Sequence, residues 1–126
     1  MKFELLGTEY PAEYTVAGEQ LLCEKFGSIE KVQEMLSNGE IADRTKELPD
    51  VVALLVRAGI MREKKKAEIL GAEYNGPEPI EAEAIALLSY PGQLIALVRD
   101  AMKEGYSTTI KLEKVKGKNG EATRSA

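Results

Sequence analysis

Asp50 to Ile60 (DVVALLVRAGI) is apolar on nearly every side, with Asp50 and Arg57 its only charged residues. A helix without a polar face has to be covered all round, so whatever this chain folds into must wrap around that stretch. Pro49 precedes it and suits the first turn of a helix, where the missing N–H is not needed. Gly59 suits its end. The valines also permit a strand, but these start and stop signals favour a buried central helix with Arg57 at an exposed point. A chain of 126 residues fits one domain around it. Only two Phe and five Tyr are present and no Trp, so that core must be built mainly from aliphatic side chains.

Upstream, Phe3 and Leu5 alternate with Lys2 and Glu4, the pattern of a half-buried strand. A second strand over 9–15 follows a turn at Gly7-Thr8, and Pro11 restricts it to an edge. From Ala17 the period changes to that of a helix: Leu21, Leu22 and Phe26 share a stripe, and Gly27 stops it. Ser28 then sits where an N-cap belongs, before Ile29, Val32, Met35 and Leu36. Residues 41–48 permit another turn or two. Downstream, 71–79 reads as a loop, with helices over Ile80–Ser89 and Pro91–Glu104 after it. Gly105 is read as a stop, 106–112 as extended, and the remainder as too polar to pack. The expected fold is therefore α+β and mostly α: an N-terminal β-hairpin on a bundle of about five helices. Residues 1–110 form the expected compact domain and 111–126 a basic, disordered tail.

Several chemistries are hard to build from these residues. There is no histidine, the usual base near neutral pH and the commonest metal ligand. Cys23 is the single cysteine, so no intrachain disulfide is possible, and it stands between Leu22 and Glu24 without an adjacent basic activator. Glu73, Glu78, Glu81 and Glu83 lack the fixed ligand spacing of a calcium loop and read as a solvated helix start. No glycine pattern makes a phosphate loop, and no serine has a recognisable base. No catalytic, cofactor-binding or metal-binding residue is expected. The longest apolar run falls well short of the about 20 residues that span a bilayer, and MKFELLGTEY turns polar too early for a secretory signal. Together these point to a cytoplasmic, non-enzymatic protein.

Charge divides the chain. Residues 111–126 carry Lys111, Lys114, Lys116, Lys118 and Arg124 against Glu113 and Glu121, a net +3, which leaves −7 of the total −4 on residues 1–110. An acidic body disfavours nucleic acid. The run Arg62, Lys64, Lys65, Lys66 sits in a superficially helix-turn-helix-like segment, 51–70, but that segment has no Asn, Gln, Ser or Thr to read base edges. The basic tail suits docking on an acidic surface, with Lys114, Lys116 and Lys118 as candidate contacts.

The order of segments carries a resemblance. A hairpin built on Phe3, Glu4, Leu5, Gly7, Glu9 and Tyr10 comes first. A helix ending in Phe26-Gly27, a helix starting at Ser28-Ile29, an apolar helix ending in Ala58-Gly59-Ile60 and a helical pair around Tyr90-Pro91 follow. Across residues 1–105 this resembles the tail assembly chaperones of long-tailed phages and gene transfer agents. The resemblance implies a protein of the host cytoplasm that is absent from the finished virion. It implies binding to a tape measure protein, keeping that client soluble while tail tube subunits assemble. The tail tube protein is then a second possible partner, and a longer frameshifted product is a further implication. Such work needs an apolar groove and adaptable side chains, for which Met35, Met61 and Met102 are candidates against core filling. The edge at Pro11–Thr15 offers a route to weak homo-oligomers. Two other readings remain open: a small nucleic-acid-binding regulator using residues 51–70 and the tail, and a structural tail-completion protein.

Overall fold

In the computed structural model, strands β1 (Lys2–Leu5) and β2 (Thr8–Pro11) lead into five helices: α1 (Val16–Phe26), α2 (Ile29–Asn38), α3 (Ile41–Leu70), α4 (Ala82–Leu88) and α5 (Pro91–Asn119). It describes residues 1–38 and 41–119, with side chains described for 1–34 and 46–107. This is the α+β, mostly α arrangement expected from the sequence.

The hairpin pairs Phe3 with Tyr10 and Leu5 with Thr8. Phe3 and Leu5 point into the core, and Lys2 and Glu4 face solvent. The turn lies at Leu6-Gly7, one residue earlier than the expected Gly7-Thr8, with positive φ at both residues (52° and 84°). A two-residue loop of that hand matches the twist of the strands it joins. Ala12 N–H donates to Met1 O at 3.0 Å, so the hydrogen-bonded pairs are Met1–Ala12, Phe3–Tyr10 and Leu5–Thr8. Pro11 falls between them, where the ladder asks for no N–H.

From Pro11 to Tyr14 the chain runs over the bundle. Ala12 and Tyr14 are buried, and Glu13 N–H donates to the Leu55 carbonyl of α3 at 3.1 Å. Here two glycines behave differently from their sequence reading. Gly59 and Gly105 were expected to end helices, yet α3 and α5 run straight through both. A Cβ on Gly59 would lie 2.4 Å from Pro11 O, and one on Gly105 would lie 2.6 Å from Tyr14 O. Each glycine accepts a helix penalty of about 1 kcal/mol because the extended segment passes too close for any side chain.

The region 106–112, expected to be extended, is helical, because Tyr106 docks on Tyr14 with ring centroids 5.4 Å apart. Tyr14 O–H donates to Glu19 of α1, and Tyr106 O–H donates to the same oxygen at 3.1 Å. Burial first, then the bond to Glu19, pushes the Tyr14 phenol well above its ordinary value. The Met1 amine closes this end through Glu13 (3.1 Å) and Glu104 (3.2 Å).

α3 is the expected central element and touches the other four helices and β2. Leu48, Val51, Val52, Leu55, Val56 and Ile60 are buried, and Arg57 is exposed. The helix does not begin at Pro49, however. It begins at Ile41 and carries Pro49 inside it. Gly27 closes α1 and Ser28 Oγ accepts from Lys31 N–H at 3.2 Å, both where expected, while Thr15, expected to end a strand, instead caps α1 by accepting from Gly18 N–H.

Candidate binding cleft

Proline inside a helix has no N–H to give the carbonyl four residues back, here Thr45, and its ring displaces that turn. On the α3 surface at this point lies a cleft of about 170 Å³, closed on the far side by the junction of α4 and α5. Leu48, Pro49, Ala86, Ser89, Pro91 and Leu94 line it. Ile85 anchors α4 to the core, and Leu94 anchors α5. The two-residue link Ser89-Tyr90 is held by Ser89 N–H to Ile85 O (3.0 Å) and Leu94 N–H to Tyr90 O (3.2 Å).

The lining is apolar apart from one hydroxyl. Ser89 Oγ is buried and makes no hydrogen bond within the described residues. Among the described residues no titratable side chain lines the cleft. It can bury apolar groups and exchange one hydrogen bond. At about 170 Å³ it falls below the about 300–1,000 Å³ of small-molecule pockets, and suits an inserted side chain or two. The residues that interleave with the lining are large, apolar and exposed: Leu87 (77%), Leu88 (47%) and Tyr90 (78%). Ile69 and Leu70, at the end of α3, are exposed as well.

The residues singled out from sequence are scattered. Met61 is partly exposed on α3. Met102 is in the core, where its volume fills the bundle instead of lining a groove. The side chains of Met35, Lys114, Lys116 and Lys118 lie outside the described residues. None of the described candidates lines the cleft. The signals for it were Pro49 without a helix break and a Ser-Tyr-Pro link flanked by two leucines, both of which read as ordinary punctuation.

The basic run is largely neutralised locally. Arg62 pairs with Glu63 (2.9 Å), Lys65 with Glu68 and Lys64 with Glu78 (3.1 Å), and Lys64 also sits 5.6 Å from the centre of the Tyr74 ring. Burial of Tyr74, with Glu78 nearby, raises its phenol. These contacts tie the 71–81 loop to α3. Cys23 is half-buried. Among the described residues no three Cys, Asp or Glu side chains converge as metal ligands, and no helix is long and apolar enough to cross a membrane. Comparison with protein-family models, with curated proteins and with solved structures finds no significant match.

Proposed function

We propose that this is a non-catalytic binding protein that shields an apolar stripe of a helical partner, and that the partner is a phage tape measure protein. The observation that carries the first half is the α4–α5 junction. There an open apolar cleft is interleaved with Leu87, Leu88 and Tyr90, three large side chains left in water. Exposed apolar groups beside a concave apolar surface mark interaction sites, and an amphipathic helix laid in a groove is the recognition mode that uses them. The second half rests on the resemblance of the element order to tail assembly chaperones. A long, striped helical client that aggregates when bare is the kind of partner such a surface protects.

Local neutralisation of Arg62, Lys64 and Lys65 favours this reading over a nucleic-acid regulator. The test is co-expression with a phage tape measure protein. A soluble complex that survives high salt is expected, because apolar burial is not screened, whereas phosphate contacts weaken steeply with salt. A client that is equally soluble without this chain overturns the proposal.

A further inference from the structure

The hairpin has two outer edges, and they are treated differently. That of β2 is covered from Pro11 onward, because Pro11 O lies against Gly59 of α3 and the chain beyond it bonds to Leu55, which leaves only Glu9 outward on that side. The expected route to self-association through Pro11–Thr15 is therefore occupied by the protein's own helix. Among the described residues β1 has no such cover. Since Met1, Phe3 and Leu5 spend their backbone groups on β2, the alternation of an antiparallel pair turns the N–H and C=O groups of Lys2 and Glu4 outward. Among the described residues neither makes a backbone hydrogen bond beyond the hairpin, and both side chains are exposed.

We propose that β1 pairs antiparallel with β1 of a second copy, about a two-fold axis at Phe3. In that register Lys2 faces Glu4 of the other copy and Glu4 faces its Lys2. These are also the residues whose outward groups form the narrow, doubly hydrogen-bonded pairs, so backbone and side chains select the same register. Centring on Lys2 or on Glu4 instead sets like charges opposite, which is unfavourable. The interface is isologous, as closed dimers require, and it converts a marginal two-stranded ribbon into a four-stranded sheet, β2-β1-β1-β2. A lysine on an edge strand ordinarily discourages pairing. Here the glutamate two residues on turns that deterrent into a match that only this chain, inverted, supplies. With four residues per strand the association is weak and concentration-dependent. This proposal stands independently of the cleft and its partner.

Sedimentation of the full chain over a concentration series, with any tag at the C-terminus, tests it. Wild type is expected to pass from monomer to dimer. Lys2→Glu and Glu4→Lys each replace two opposite-charge pairs by two like-charge pairs, and each is expected to weaken the dimer about tenfold or more. Lys2 faces Pro11 across the hairpin, so Lys2→Glu should leave the melting temperature of the monomer unchanged, whereas Glu4 faces Glu9, so Glu4→Lys relieves a like-charge pair and should raise it slightly while weakening the dimer. Two recoveries follow: the double variant Lys2→Glu/Glu4→Lys dimerises like wild type, and mixing the two single variants yields a heterodimer. A wild type that stays monomeric to millimolar concentration overturns the pairing. So do single variants that associate unchanged, or a double variant and a mixture that both fail to recover.

Discussion

Two residues inside α3 are of kinds that ordinarily stop a helix, and their surroundings differ. At Gly59 a missing side chain makes a notch, and the chain's own Pro11–Tyr14 segment fills it to backbone contact. At Pro49 a missing N–H stands beside a cleft that no described segment fills, with Leu87, Leu88 and Tyr90 of the neighbouring α4–α5 region in solvent. The first is explained by the protein's interior alone. The second has no such filling segment among the described residues. On the proposed reading, the difference separates residues that hold the fold from residues left for a partner.

Breaking the filled notch should have the largest effect. Gly59→Ala brings a Cβ against Pro11 O, a contact between two backbones that cannot swing away. Overpacking at the upper end of its usual range, offset by the better helix propensity of alanine, leaves a net loss of about 2 kcal/mol in chemical denaturation. An unchanged midpoint would mean that the Pro11–Tyr14 segment does not bear on α3 as described. Gly105→Ala meets Tyr14 in the same manner at slightly longer range and is expected to cost about 1 kcal/mol.

At the cleft the sign reverses. Ser89→Ala removes a buried hydroxyl with no partner among the described residues, so a gain of about 0.5–1 kcal/mol is expected from thermal melting of the isolated protein. A loss would show that Ser89 is satisfied in solution and that the cleft is tighter than its lining suggests. At the hairpin tip, Leu6 holds a positive φ with its side chain in water. Asparagine tolerates that geometry better, so Leu6→Asn should stabilise by about 0.5 kcal/mol.

A pH titration sharpens the account of the filled region. The Tyr14 phenol is raised by burial and by Glu19, so the folded state resists its ionisation. Its contribution is complete below the ordinary tyrosine value of 10.0 and declines above it, as the unfolded chain releases a proton that the folded chain retains. Wild type should lose stability as the pH rises past that value, and Tyr14→Phe should lose less of it. Parallel declines would show that Tyr14 is not the group responsible.

Much of the architecture was legible because periodicity reports burial. The Phe3–Leu5 alternation, the Leu22 stripe and the Val51–Ile60 run each mark a face that must be covered, and each is covered. What misled were residues with two physical meanings. Glycine ends helices, but it also admits close approach. Gly59 and Gly105 do the second, which depends on a segment more than 45 positions away in sequence. Proline starts helices but is also tolerated within one, as at Pro49. The cleft was invisible for the same reason, since its walls come from Leu48-Pro49 and from 86–94, and neither half is unusual alone. Methionine has two meanings as well: Met102 fills the core, whereas Met61 is exposed on α3.

The most direct test exchanges the exposed apolar side chains beside the cleft and leaves everything else in place. Leu87→Ser/Tyr90→Ser should melt within about 0.5 kcal/mol of wild type, as exposed substitutions usually do. When co-expressed with a phage tape measure protein that wild type is expected to keep soluble, it should leave that client in the insoluble fraction. If the folded double variant keeps the client soluble as well as wild type does, the α4–α5 surface is not where this protein works.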